Sequence, residues 1–487
     1  MLRHVASIGD HVIPSLLELR RDALEAEVEF AGVIDRVPPA FRDSARNLAH
    51  YLALRRADVR DLQQELNALG LSSLGRSEAC VMSTLENVTG VLHVLAHVDA
   101  PPPDPVHTSV NAVTGPLILG EHARRLLGRV DERRSTRIMV TMPSEAATDT
   151  RIVRDLVDAG MDIMRINMAH DGPEAWLAMI DHLRDAERSS GRTCKVHIDL
   201  AGPKFRVGSM EQIRVHRGDV LRFARTTDDA QFLRCEPEAI FDAVRVGDPV
   251  WFDDGKVAAT VIEATPEQFA VKVTRTKAKG AWIRAEHGLN LPDTPMEVLS
   301  LTDDDIAALE IMGPHADLIG MSFVRTAGDL DRLFAHMHRL HLTDRGVVAK
   351  IETRDGFENL PQILFAGLRH PPFGIMVARG DLAVEIGFER LAEVQEEMLW
   401  LCEAAHVPVI WATQVLEGMA KKGLPTRAEV SDAAMSVRAE CVMLNKGPFI
   451  VETVQFLSDV LHRMAAHQSK KRSLLRHLHV SDPRSSR

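Results

Sequence analysis

Two apolar runs, GVVAKIE at residues 346–352 and GIMVARGD at residues 374–381, decide the fold of this chain. Each run is short, is rich in aliphatic residues and ends abruptly in charged side chains, and a segment of helix length separates them. This pattern is typical of consecutive parallel strands in strand–helix–strand units. Six further runs of this kind are RIMVT at 137, DIMRIN at 162, KVHIDL at 195, LIGMSFV at 318, VPVIWAT at 407 and CVMLNKG at 441. With one exception their starts lie about 25 to 35 residues apart, so the sequence predicts an α/β fold, a closed TIM (β/α)8 barrel.

The exception is the long interval after the third run. It contains alternating apolar and polar residues, for example in PVWFDDGKVAATVIEA at 249–264, and predicts a small β-barrel domain inserted after strand 3 over residues 207–287. This insertion would act as a lid and would divide the barrel into residues 136–206 and 288–467.

The ends of the chain have a different composition from the barrel. Residues 1–100 are rich in Leu, Ala, Glu and Arg at helical spacing and predict an all-α N-terminal domain. The prolines at 101–103 begin a segment, 101–135, that we expect to be a linker. Residues 468–487 are basic and polar, and we expect a solvated tail.

Composition limits the function classes. The chain has 487 residues, 45% hydrophobic and 26% charged, which is typical of a globular protein of two or three domains. A net charge of −11 gives no sustained positive field, so we expect neither nucleic acid nor a membrane surface as a partner. The five cysteines form no metal-binding spacing and fit a cytoplasmic location.

The carboxyl ends of barrel strands form the functional face of a TIM barrel, so polar residues that end the runs should converge there. These residues are Arg165, Asn167, Asp199, Lys204, Arg206, Ser322, Arg325, Lys350, Glu352, Arg379, Asp381, Thr413, Gln414, Asn445 and Lys446. Glu352 and Asp381, on adjacent strands among several cations, suit a magnesium ion and phosphate-bearing substrates. The alternative is that the barrel rim simply collects salt bridges.

Four motifs stand in order along the second half of the chain: VAKIETRDG at 348–356, GIMVARGDLAVEIG at 374–387, VIWATQVLEGM at 409–419 and PTRAEVSDAA at 425–434. With these motifs the chain resembles the pyruvate kinase family over about residues 136 to 465. The inserted domain after the third strand agrees with that family. The resemblance implies magnesium-dependent phosphoryl transfer from phosphoenolpyruvate to ADP, which gives pyruvate and ATP.

The resemblance also implies roles for particular residues. Lys350, Thr413 and Arg165 would be catalytic, and the substrate would contact Lys350, Thr413 and the backbone amides of Gly380 and Asp381. Glu352 and Asp381 would hold magnesium, or manganese in its place. Arg165, Asn167, His170 and Arg206 would face the nucleotide, and Asp254 would lie on the lid.

The chain departs from the family pattern near the expected potassium site. That region would comprise Asn167, Asp199, Leu200 and Lys204, but Ala169 stands where a serine ligand is usual and Lys204 where a glutamate is usual. A fixed ammonium group can replace a monovalent cation, so we expect activity without potassium. The loops TMPSEAAT at 141–148 and NKGPFIVE at 445–452 also differ, which leaves the nucleotide preference open.

Two other functions are compatible with the sequence. A magnesium-dependent lyase or aldolase that forms an enolate would also use Glu352 and Asp381. The second is a catalytically inactive relative that acts as a regulatory module, which the altered loops and the helical domain suggest. Lys350 and the lid favour the kinase, and we expect it to be a homo-oligomer, with a dimer as the simplest form.

Overall fold

The computed structural model describes residues 11–97, 102–106, 108–226, 229, 231–295 and 298–474. Its centre is a closed barrel of eight parallel strands. The strands are β1 (Arg137–Thr141), β2 (Ile163–Asn167), β3 (Lys195–Asp199), β4 (Leu318–Met321), β5 (Gly346–Ile351), β6 (Phe373–Ala378), β7 (Val409–Ala412) and β8 (Cys441–Leu444). Their order around the barrel is β1-β8-β7-β6-β5-β4-β3-β2. The predicted TIM barrel is therefore confirmed, and each of the eight predicted runs contributes one strand.

The helices that follow the strands form the outer layer of the barrel. The longer ones are α6 (Thr150–Ala159), α7 (Pro173–Ser190), α8 (Asp303–Met312), α9 (Ala327–Arg339), α10 (Leu360–Gly367), α11 (Arg379–Ile386), α12 (Leu391–Ala404), α13 (Arg427–Met435) and α14 (Ile450–Ala465), with α1 to α5 preceding them in the chain. Shorter helices span Arg354–Glu358 and Glu417–Lys422. The strands are buried on both faces because the helices cover one face and the barrel interior the other.

A helix closes the amino-terminal end of the barrel. This helix, α5 (Thr114–Leu127), lies within residues 101–135, the segment predicted as a linker. Leu126 and Leu127 join the interior cluster that contains Met139. An added Cβ would lie 2.5 Å from Leu126 at Gly346 and 2.4 Å from Leu126 at Gly374. These two glycines therefore leave space for the Leu126 side chain.

The inserted domain has its own sheet and its own core. The sheet contains Val220–Ala224, Pro249–Phe252, Val257–Ala264, Gln268–Arg275 and Leu289–Asn290, and two smaller sheets pair Ile213–Val215 with Ala281–Ile283 and Arg206–Val207 with Cys235–Glu236. A short helix spans Ile240–Ala243. The core includes stacked Phe223 and Phe269, whose ring centroids are 4.7 Å apart. The predicted β-domain after strand 3 is confirmed, although its sheet continues past residue 287 into Leu289–Asn290.

The N-terminal residues form the predicted all-α domain. Its helices are α1 (Ile13–Glu29), a short helix at Ala31–Ile34, α2 (Arg42–Arg56), α3 (Arg60–Ala68) and α4 (Val81–Leu95). This helical domain packs directly on the barrel helices: the rings of Phe30 and Phe365 stack at 5.1 Å. Asn47 is buried and donates to the carbonyls of Glu78 and Ala404 at 2.7 and 2.8 Å. Helical domain and barrel share one continuous apolar cluster.

The first part of the predicted basic tail is ordered against the protein. Gln468–Ser469 pairs with Arg472–Ser473, while Lys470 and Lys471 form ion pairs with Glu440 and Glu78. The expected solvated tail is thus wrong for residues 468–473, because buried carboxylates hold these lysines; residues 475–487 lie outside the described residues. Among the helices that the structure describes, none has the length and apolar character needed to cross a membrane.

Candidate active site

Asp199, at the end of β3, is the centre of a buried charge cluster. Its Oδ2 accepts hydrogen bonds from Arg165 on β2, one of them from Nε at 2.8 Å, and lies 3.3 Å from Lys350 Nζ on β5. Lys350 also donates to Ser322 Oγ at 2.7 Å, and Arg165 Nη1 donates to Thr141 Oγ1 at 2.8 Å. Neighbouring parallel strands place these side chains together because all the strands end on the same face.

Lys350 stays charged although it is buried. Burial alone would raise the pKa of Asp199, but the charges of Arg165 and Lys350 outweigh it and hold that pKa well below its usual range. Burial would likewise lower the pKa of Lys350, but Asp199 and Glu352 together raise it above the usual value. Positive charge is therefore fixed at the floor of the site.

Glu352 and Asp381 form an acidic pair beside this cluster. Glu352 Oε1 lies 3.3 Å from Lys350 Nζ, and its Oε2 accepts from the amide of Phe323 at 2.7 Å. Asp381 Oδ1 lies 2.9 Å from Lys204 Nζ and 3.1 Å from Asn290 Nδ2. Burial, and secondarily the charge of Asp381, raises the pKa of Glu352, whereas Lys204 outweighs burial and lowers the pKa of Asp381.

These carboxylates fit a hard divalent cation. Magnesium is typically held by one or two carboxylates while substrate oxygens and waters complete its coordination shell. Both side chains line one cavity of about 270 Å³, where a cation between them would offset the repulsion between the two carboxylates. The ammonium group of Lys204 already lies against Asp381, so it supplies part of the positive charge that such a cation would bring.

The start of α11 lies beside Thr413. This helix begins at Arg379, one residue after β6 ends, so the amides of Gly380 and Asp381 belong to its first turn and have no intrahelical acceptor. An added Cβ at Gly380 would lie 2.8 Å from Thr413 Cγ2, so Gly380 allows Thr413 to approach closely. Thr413 has a φ of 69°, a strained value for a β-branched residue.

Arg379 holds this strained loop in place. Its Nε donates to the carbonyl of Ala412 at 2.8 Å and its Nη2 donates to the carbonyl of Thr413 at 2.7 Å. Asp432, on α13, accepts from Nη2 of the same guanidinium at 2.8 Å. Arg379 is therefore a positioning residue for Thr413, a role that its place after β6 did not reveal.

The residues predicted to face the nucleotide, Arg165, Asn167, His170 and Arg206, all line this cavity. Lys446, which follows β8, contributes to the same wall. Burial, assisted by the charges of Lys446 and Arg206, lowers the pKa of His170, so this histidine is neutral near pH 7. Arg206 also donates to the carbonyl of Glu286 at 3.3 Å, which ties it to the lid.

The residues predicted to lie around a monovalent cation have other partners in the structure. Asp199 is committed to Arg165 and Lys350, and the carbonyl of Leu200 accepts from Ser322 Oγ at 2.6 Å. Asn167 Oδ1 accepts from the amide of Ala169 at 3.2 Å. Lys204 extends toward Asp381, whereas the sequence grouped it with Asn167, Asp199 and Leu200.

Comparison with known proteins identifies the family. The model of the pyruvate kinase barrel domain matches residues 133–454. The chain belongs to the pyruvate kinase family. A pyruvate kinase of Encephalitozoon cuniculi is 31% identical over 67% of this chain and 74% of its own length, and one of Agrobacterium vitis is 33% identical over 70% and 71%. A pyruvate kinase of Rattus norvegicus is 32% identical over 66% of this chain and 58% of its own length.

The family relationship confirms the resemblance that the motifs predicted, and the chain is an enzyme of the pyruvate kinase kind. A pyruvate kinase depends on a divalent metal, and Glu352 and Asp381 are the carboxylates that fit one here. The matched residues begin at 133, so the helical domain lies outside the match.

Sequence reasoning missed several residues of the site. Asn290 is buried and donates to Asp381, and burial raises the pKa of the nearby Glu385 to about 7. Both stand in motifs, GLNLPDT and GIMVARGDLAVEIG, in which a polar residue interrupts an apolar run. That interruption was the available signal. Ser322 appeared among the polar residues that end the strands, but its bond to Lys350 depends on side-chain geometry.

Proposed function

We propose that this chain catalyses magnesium-dependent transfer of the phosphoryl group of phosphoenolpyruvate to ADP, giving pyruvate and ATP, without a requirement for potassium. The observation that carries the proposal is the convergence of Lys350, Arg165, Glu352 and Asp381 on one cavity at the carboxyl ends of the barrel strands. Membership of the pyruvate kinase family supports the same reaction.

Lys350 and Arg165 would stabilise the charge that moves during transfer. The bond between phosphorus and the enol oxygen breaks, a bond from phosphorus to a terminal phosphate oxygen of ADP forms, and the electron pair stays on the enolate oxygen. Two fixed cations beside that oxygen and the transferring group lower the barrier because they need no reorganisation. Asp199 holds both cations in position.

Glu352 and Asp381 would hold the magnesium ion, or manganese in its place. When bound, the ion supplies positive charge to the phosphate and carboxylate oxygens of the substrates. The amides of Gly380 and Asp381 would donate hydrogen bonds to the substrate carboxylate, since the first turn of α11 offers free N–H groups and a favourable dipole. Arg165, Asn167, His170 and Arg206 would contact the nucleotide.

The last step is protonation of the enolate carbon, which gives pyruvate and consumes one proton. Thr413 would lie on the side from which this proton arrives, because Arg379 fixes its backbone beside Gly380. The lid would exclude water from the phosphoryl group. Asp254, at the tip of the lid, lies near Lys204 and Asp381, and burial raises its pKa.

Independence from potassium would follow from Lys204. Its ammonium lies 2.9 Å from Asp381 Oδ1 and lines the same cavity, so positive charge is present without a mobile cation. Ala169 supplies no side-chain oxygen to such a cation. We also propose a cytoplasmic location and a homo-oligomer, with a dimer as the simplest form.

The test is pyruvate formation from phosphoenolpyruvate and ADP with magnesium, measured with and without potassium. Lys350→Met should lower kcat by about 1,000-fold, because one fixed charge at the reacting atoms is lost. Lys272→Met, at an exposed lysine of the lid, is the matched control and should retain wild-type activity. No turnover by wild-type protein with any nucleoside diphosphate would favour the lyase or the inactive relative instead.

A further inference from the structure

Another cavity lies at the junction of three parts of the chain. It has a volume of about 530 Å³, and its wall comes from the helical domain, from α12 and from the hairpin at 468–473. Tyr51 and Arg55 contribute from α2, Trp400 from α12 and Lys471 from the hairpin. None of its residues lines the active-site cavity, and most precede the matched barrel domain.

The wall of this junction cavity carries excess positive charge. Its cations are Arg55, Arg56, Arg60 and Lys471, and its carboxylates are Asp58 and Glu78. Arg60 pairs with Asp58 at 2.6 Å, and Lys471 pairs with the buried Glu78. Those two pairs leave Arg55 and Arg56 as the excess charge on the wall, and Arg56 pairs with Glu29 at 2.7 Å, outside it.

Arg55 differs from the other cations because no carboxylate of the described residues forms an ion pair with it. Its Nη1 donates to Tyr51 Oη at 2.8 Å, and its guanidinium carbon lies 4.9 Å from the centroid of the Trp400 ring. The ammonium of Lys471 lies 5.0 Å from the centroid of the same ring. An aromatic face stabilises a cation without neutralising it or consuming all its N–H donors.

We propose that the junction cavity binds a small, multiply charged anion that bears phosphate or carboxylate groups. Arg55 would bind it through its remaining N–H groups, since a planar guanidinium suits two oxygens of one phosphate or carboxylate. Arg56, whose partner Glu29 lies outside the wall, would contribute further charge. An open cavity of this volume admits such a molecule, and the bound anion would connect the helical domain, α12 and the hairpin.

Trp400 provides a local readout of binding. Sodium pyrophosphate and sodium citrate would be titrated separately into the metal-free full-length protein at constant ionic strength, to about 10 mM, while tryptophan fluorescence is recorded. The expected result is a saturable change with at least one of the two anions that is lost in Trp400→Phe. The two probes distinguish a phosphate-bearing ligand from a carboxylate-bearing one. A change that persists in Trp400→Phe, or no saturable change with either anion, would overturn the proposal.

Variants of Arg55 test the role of its charge. Arg55→Gln should weaken binding at least tenfold, while Arg55→Lys should weaken it less, because it keeps the charge but loses the two-pronged guanidinium. Arg21→Gln, which removes an exposed arginine of α1, is the matched control and should bind as the wild type does. Equal affinity in Arg55→Gln and wild type would contradict the proposal, as would equal weakening in Arg21→Gln. Circular dichroism of each variant would establish that it is folded.

Discussion

The contribution of the buried Asp199 carboxylate to stability depends on the cations that it contacts. Removing a charge from a buried ion cluster leaves the remaining charges without compensation, which costs about 3–5 kcal/mol. Asp199→Asn would leave Arg165 and Lys350 without this compensating charge. We therefore expect this variant to lose about that much free energy of unfolding and most of its activity, as measured by urea unfolding and pyruvate formation.

The pH dependence of that loss has a definite sign. The pKa of Asp199 in the folded protein lies below its unfolded value, so its contribution is present above the unfolded pKa, near 4, and is lost as pH falls through the folded pKa. The stability difference between wild type and Asp199→Asn should thus shrink below about pH 4. Asp185→Asn, at an exposed aspartate of α7, is the control and should change stability by less than about 0.5 kcal/mol.

Lys204 is the residue at which this chain departs most clearly from the family pattern. If its ammonium replaces a monovalent cation, Lys204→Gln should lower potassium-free kcat by about 100-fold, and added potassium should restore part of the loss. Wild-type activity should not respond to potassium. Lys256→Gln, which removes a more exposed lysine of the lid, is the control. Strong stimulation of the wild type by potassium would refute the idea.

The elements of the barrel were predictable because each buried strand has an apolar run with a polar end. The order of polar residues along those runs also placed Lys350, Glu352 and Asp381 on one face. The helix α5 was not predicted because prolines precede it, and its apolar side chains fill the end of a barrel that exists only after the strands close. The direction of the Lys204 side chain depends likewise on contacts between distant segments.

The turn between α12 and β7 joins the barrel to the helical domain through His406. Its ring nitrogens lie 2.9 Å from Ser44 Oγ and 3.0 Å from the carbonyl oxygen of Ala79. Burial lowers the pKa of His406 to about 4, although the hydrogen bond to Ala79 opposes this shift. A proton on the second ring nitrogen would remove the acceptor that faces Ser44.

This histidine should make the docking of the helical domain sensitive to acid. Because its folded pKa lies below the unfolded value near 6.5, its contribution is present above pH 6.5 and is lost as pH falls toward 4. At pH 5, the loss of the His406 contribution should lower the free energy of unfolding by about 2 kcal/mol. In urea unfolding, His406→Asn should show a shallower decline between pH 7.5 and 5, whereas the exposed control His338→Asn should follow the wild type.

At the scale of the whole molecule, the apolar cores do not follow the domain boundaries that the sequence predicts. The helical domain and the barrel share one cluster, which includes Leu16, Leu48 and Leu364, whereas the lid has a cluster of its own. The two ends of the lid meet, since Arg206 and Gly288 form a β-bridge and the amide of Val207 donates to the carbonyl of His287 at 2.9 Å. Cooperative units of unfolding usually follow such shared cores.

Two deletions should therefore behave in opposite ways. Replacing residues 207–287 with a short Gly-Ser linker should leave a soluble barrel with a cooperative calorimetric transition but little turnover, because water reaches the phosphoryl group.

Deleting residues 1–98 should give aggregated protein, because it exposes the surface around Phe365 and leaves the carbonyl of Ala404 without Asn47. A soluble product of this second deletion that melts at the wild-type temperature would show that the barrel is stable alone. The shared core would then contribute little to its folding.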